Sequence, residues 1–195
     1  LWVIKGLGPG GAERLLLAAA RAHDPERFHL ECAFVVPNKD HLCEALERAG
    51  VRTHCLSLRT ADVRWPLRLT RLVRDTQWEV VHVHSPLPGS VARLAVRSIP
   101  AATRPALITA EHNAWPTFRA PTRLLNRATI GLDGETFAVS EEVRRSMSHP
   151  DRVDVLQHGI DVAATASAVE HRERIRLELG LTDDRTAVAT VANYR

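Results

Sequence analysis

The sequence predicts an α/β protein: a Rossmann-like parallel sheet with helices on both faces. Short apolar runs alternate with segments of helical period along nearly the whole chain, and strands joined by crossover helices at this spacing pair in parallel. A glycine-rich turn, Gly6-Leu7-Gly8-Pro9-Gly10-Gly11, leads from the first apolar run into the first helix, an arrangement that makes an anion site. The 195 residues, 45% apolar and 25% charged, suffice for one full core and a little more.

In chain order, residues 1–4 form the first apolar run, and Leu15, Leu16, Leu17 and Ala18 continue from the turn as a helix. Further strands are predicted over 30–36, 51–58, 80–84, 106–110, 136–139, 153–156 and 187–191. Helices are predicted between them over 41–49, 66–76, 86–96, 121–129, 141–147 and 164–179. Two starts are well signalled: Ser85 caps a helix with Pro86 at its first position, and Ser140 caps one whose first turn carries Glu141 and Glu142, acids that suit the helix dipole.

Composition excludes several classes. No apolar stretch approaches the roughly 20 residues of a membrane span and no signal peptide is visible, so a cytoplasmic protein is expected. Cys32, Cys43 and Cys55 have neither disulfide parity nor zinc spacing and read as reduced thiols. The net charge of +3 is too small to imply nucleic acid. Of the 26 basic residues only Lys5 and Lys39 are lysine, and two arginine rows, Arg64/Arg68/Arg71 and Arg119/Arg123/Arg127, are either solvated helix faces or surfaces resting on anionic lipid. The chain opens without methionine and stops just after an apolar run, which predicts a piece of a longer protein.

Ligands of an open parallel sheet gather beyond the carboxyl ends of its strands. Four polar stretches fall there: the glycine turn, His82-Val83-His84-Ser85-Pro86, Glu111-His112-Asn113-Ala114-Trp115 and Gln157-His158-Gly159-Ile160-Asp161. His82 and His84 share one face of their strand because side chains alternate. Gly6, Gly8 and Gly11 also satisfy the dinucleotide fingerprint, but the acid expected at the end of the second strand is missing, since Glu31 stands at its start. The H-x-H pair invites a metal-hydrolase reading, yet two ligands do not close a site.

Gly10-Gly11-Ala12-Glu13-Arg14, Val80-Val81-His82-Val83-His84-Ser85, Thr109-Ala110-Glu111-His112-Asn113, Phe137-Ala138-Val139-Ser140-Glu141 and His158-Gly159-Ile160-Asp161 follow in an order and spacing that resembles the N-terminal domain of family-4 glycosyltransferases of the GT-B fold. The family commonly has asparagine where His158 stands. The resemblance implies transfer of a sugar from a nucleotide-sugar donor to a sugar, lipid-linked or small-molecule acceptor, with retention. Diphosphate is already a good leaving group, so fixed positive potential near it suffices; no metal or further cofactor is expected. The implied roles are His112 at the reaction centre, Gly10, Gly11 and Arg195 at the donor diphosphate, and Glu13, His82, His84, Glu111, Asn113, Ser140 and Gly159 along the acceptor side or cleft. An imidazole at position 112 can bond a sugar hydroxyl and titrates near working pH. The implied domains are 1–165, the acceptor-side half, and 166–195, the opening of a truncated donor-side half. Such a piece alone is expected to be inactive, with a tail beyond residue 161 open to exchange and proteolysis. An NAD-type oxidoreductase, a metal-dependent hydrolase and a non-catalytic nucleotide-binding module are the alternatives, and contact with the inner face of a membrane is compatible with the arginine rows.

Overall fold

The computed structural model describes residues 1–182 and 184–190. Seven strands, β1 (Trp2–Ile4), β2 (Glu31–Phe34), β3 (Arg52–Cys55), β4 (Val80–Val83), β5 (Ala106–Glu111), β6 (Glu135–Ala138) and β7 (Asp154–Val155), form one sheet in the order β3-β2-β1-β4-β5-β6-β7. All six pairings are parallel. Helices α1 (Gly11–Ala22), α2 (Cys43–Arg48), α3 (Trp65–Asp75), α4 (Pro86–Arg97), α5 (Ala120–Thr129) and α6 (Glu141–Ser146) connect the strands.

Two apolar layers hold the sheet. On one face Leu16 and Ala20 of α1 and Leu46 of α2 pack on Ile4, Cys32 and Phe34. On the other, Leu69 and Val73 of α3 and Ala92, Ala95 and Val96 of α4 pack on Val3, Ala33, Val81 and Val83. A third cluster joins Val143 and Met147 to Ala138, Val153 and the buried Trp115. Helix α4 approaches β4 so closely that a Cβ on Gly89 would stand 2.5 Å from a methyl of Val83. Gly89→Ala is therefore expected to cost about 1–3 kcal/mol of unfolding free energy by overpacking. Denaturant titration beside Gly131→Ala, whose new Cβ meets nothing within 4 Å, isolates that term.

Three elements differ from the sequence expectation. The strand expected over 51–58 ends at Cys55, because the next residues turn around the Asp62 carboxylate, which accepts from Leu58 N at 3.0 Å and Arg64 N at 2.9 Å. The helix expected over 164–179 divides into α7 (Val162–Ser167), a 3-10 turn (Ala168–His171) and α8 (Arg172–Glu178). Serine, valine and histidine, poor helix formers, cluster where the turn tightens. Residues 187–190 carry no strand; Val191, the rest of that predicted strand, and Arg195 lie outside the described residues.

The chain separates into two compact units that divide between His158 and Gly159. The first contains the whole sheet and closes soon after β7, earlier than position 165. In the second, Ile175, Leu177, Leu179 and Val188 are exposed. Among the described residues no helix is long and apolar enough to cross a membrane.

Candidate functional site

The strand order reverses between β1 and β4, so the carboxyl ends of these two strands flank the switch point at which ligands of such sheets bind. Val81 and Val83 are committed to the α3/α4 layer, which turns His82 and His84 to the opposite face. The strand ends are tied together: His84 N donates to Val3 O at 2.8 Å, and Lys5 N donates to Ser85 Oγ at 3.0 Å.

Four imidazoles line up from there. The rings of His82 and His84 lie 4.0 Å apart, His84 and His112 5.5 Å, and His112 and His158 5.2 Å in a stack only 10° from parallel. His84 Nδ1 and His112 Nε2 share a hydrogen bond of 3.2 Å. Burial holds every ring toward its neutral form: His82 and His112 are each lowered to about 4, His84 well below the usual histidine range, and His158 downward too. His112 therefore does not titrate near working pH, contrary to the sequence expectation, because its environment penalises the cation. The Nε2 atoms of His82 and His84 are buried and have no hydrogen-bond partner among the described residues, an unsatisfied polarity uncommon in a native interior. Stacked rings do not converge on a point, and among the described residues no three His, Cys, Asp or Glu side chains could hold a metal ion.

The glycine turn is more occupied than its sequence suggests. Gly10 is the extended N-cap residue of α1, and a side chain there would run into the Glu13 carboxylate, which folds back over it. An anion at this helix end would displace Glu13, a flexible side chain one turn in, to reach the partial positive charge of the N–H groups. Gly11 is open: a Cβ placed on it would meet nothing within 4 Å. Gly6 and Gly8 are covered by the Lys39 side chain, and Leu7 N donates to Lys39 O at 2.6 Å. Glu31 is bound to His54 and His29 at the start of β2, while β2 ends at Phe34, so Glu31 is not at the strand end where a dinucleotide ribose would need it.

Other expected residues fall variously. Glu111 does not face the crevice. It follows the parity of Leu107 and Thr109 into the interior, is only 2% exposed, and accepts from Asn126 Nδ2 at 2.7 Å, with its carboxyl raised by burial. Ser140 caps α6 as expected, accepting from Val143 N at 3.2 Å. Asn113 is exposed in the loop after β5. Gly159 opens the second unit, exposed and with open space about it. Of the first arginine row, Arg68 is drawn inward to Asp62 Oδ2 and Leu56 O, both at 2.6 Å, so that row does not present three free cations. Arg119, Arg123 and Arg127 all remain exposed.

Two residues carry more than the sequence signalled. His158 completes the imidazole row through the pairing of β7 beside β6. Arg93 is wholly buried; its guanidinium spans Asp133 Oδ1 at 2.8 Å and Oδ2 at 3.0 Å and reaches Asn126 Oδ1 at 2.6 Å. Its spacing from Gly89 and Val96 places it on the apolar face of α4, the one sequence signal of burial.

A solved structure of UDP-N-acetylglucosamine 2-epimerase from Rickettsia bellii shares this fold at a TM-score of 0.55 and 10% identity, over 93% of this chain and 51% of that one. The chain thus spans about half the length of that GT-B structure. No curated protein matches it by sequence. The model of Glycosyltransferase Family 4 matches residues 9–164, which takes in Gly10 and Gly11 at the end of the glycine turn, β2 to β7 and all four imidazoles, and the chain belongs to that family.

Proposed function

We propose that the chain is the acceptor-side part of an enzyme that moves a sugar from a nucleotide-sugar donor to an acceptor hydroxyl, with retention and without a metal. The observation that carries this reading is the row of neutral imidazoles at the strand ends, next to the glycine-led start of α1. In the transfer the bond from the sugar carbon to the diphosphate oxygen breaks, the bond to the acceptor oxygen forms, and the acceptor proton passes to the departing diphosphate. Negative charge grows on the diphosphate, and the N–H groups at Gly10 and Gly11 offer fixed dipoles toward it. His112, neutral at working pH, offers one lone pair and one N–H; it serves by hydrogen bonding to the transferred sugar rather than as a cation. His84 and His112 share one hydrogen, which fixes their tautomers as a pair.

Residues 166–195 are read as the opening of a donor-side half, with Arg195 against the diphosphate. The acceptor is a sugar, a lipid-linked molecule or another small molecule. The free arginines of α5 suit work against the anionic inner face of a membrane, in the cytoplasm.

Calorimetry with nucleotide sugars, NAD and zinc on the longest encoded form tests this reading. Binding of a nucleotide sugar is expected, and His112→Ala should lower the transfer rate by about a hundredfold or more. Clear NAD binding with none for any nucleotide sugar would sink it.

A further inference from the structure

We infer that the groove between α5 and the turn after α6 binds the apolar chain of an anionic lipid, with Arg123 and Arg127 taking its phosphate. The groove has a volume of about 700 Å³, within the range of small-molecule sites. Trp115, Pro116, Leu124 and Met147 give it apolar walls, and Arg123 and Arg127, one helical turn apart, line it too. Leu124 is 70% exposed on the same helix, an apolar surface left in water. Met147 and Ser148 also line a smaller cavity of about 60 Å³, and a methionine can repack to extend a groove.

Charge selects the occupant. From His112 to Leu132 the sequence holds three arginines and no Asp or Glu, and the side chains of Arg119, Arg123 and Arg127 have no ion-pair partner among the described residues. Unneutralised guanidiniums recognise phosphate, and apolar walls recognise an aliphatic chain. A peptide suits the groove less, because its backbone groups would meet few polar partners on these walls. This inference deepens the membrane-facing part of the function proposed above and rests on it for its biological role alone.

Dodecyl phosphate below its micelle concentration, followed by tryptophan fluorescence, probes the groove. Co-sedimentation with phosphatidylcholine vesicles, with and without phosphatidylglycerol, probes the membrane source. Dodecyl phosphate should bind, with the response lost in Trp115→Phe, and the chain should pellet only with the anionic vesicles. The double variant Arg123→Gln/Arg127→Gln, exposed and neutral to folding, should weaken both by roughly thirtyfold. Ala120→Trp, which fills the groove and keeps the charge, should abolish dodecyl phosphate binding. Competition by inorganic phosphate as strong as that of dodecyl phosphate, or anionic-vesicle binding without dodecyl phosphate binding, would overturn the assignment, as would no binding in either assay. None of these readouts uses a sugar donor, so failure here leaves sugar transfer standing, and failure of transfer leaves the groove standing.

Discussion

Acidification is expected to unfold the first unit with a midpoint between about pH 4 and 5.5, at or above the upper end of the range in which carboxylate titration alone would act. The cause is the imidazole row. His82 and His112 are lowered to about 4 and His84 well below the usual range, all mainly by burial, whereas the unfolded chain protonates near 6.5. Between those values the unfolded state binds more protons, so the stabilisation is full above pH 6.5 and is lost as pH falls toward the folded pKa. Each ring removes about 1.4 kcal/mol per pH unit in that window. Three together remove about 4 kcal/mol per unit, or about 8–12 kcal/mol over two to three units, enough to exhaust all but the upper part of the ordinary domain stability of about 5–15 kcal/mol. Among the described residues, no carboxylate contributes to the shifts of these rings. Glu111 and Asp133 oppose the trend, because their carboxyls, raised by burial, favour folding below their unfolded pKa and lose that contribution as pH rises, but they are two groups against three. Near-ultraviolet circular dichroism against pH measures the midpoint. His82→Phe should lower it, and a tertiary signal intact at pH 4 would contradict the account.

The elements are legible in the sequence because they rest on local periodicity. Alternation tells that His82 and His84 share a face, and Ser140 announces its cap, since both follow from bonds within a few residues. Glu111 is harder: its place beside His112 in a functional-looking motif suggests the cleft, while its parity with Leu107 and Thr109 points inward, and the simpler signal wins. His158 cannot be placed beside His112 without knowing that β7 lies next to β6, and strand order is a tertiary property. The lowered pKa values are equally hidden, since desolvation depends on what packs around a ring. The glycines alone suggest an open cradle, but Lys39 and Glu13 fill much of it, and nothing in the spacing of residues 6–13 shows that.

Arg93→Met is expected to destabilise the first unit by about 3–5 kcal/mol, the usual consequence of stranding one member of a buried ion pair. Both charged side chains are out of solvent, Arg93 at 0% and Asp133 at 2% exposure. The guanidinium donates twice to Asp133 and also to Thr109 Oγ1 at 3.1 Å, Thr129 Oγ1 at 3.2 Å and Asn126 Oδ1. Methionine fills most of the volume and supplies none of these donors. Lysine keeps the charge but cannot reproduce a planar fork bridging β5, α5 and the Asp133 turn, so Arg93→Lys should fail nearly as badly. Adding Asp133→Leu to Arg93→Met removes the stranded carboxylate and should restore a large part of the loss. The damage should also reach the candidate site: Asn126, held by Arg93, donates to Glu111, the residue immediately before His112. Glu111→Gln keeps the acceptor for Asn126 and should change stability by less than about 1 kcal/mol, separating the effect of removing that carboxyl from the effect of breaking the Arg93–Asp133 ion pair. Chemical denaturation of the four variants reads this directly, and an Arg93→Met protein as stable as the parent would show that the buried guanidinium holds nothing together.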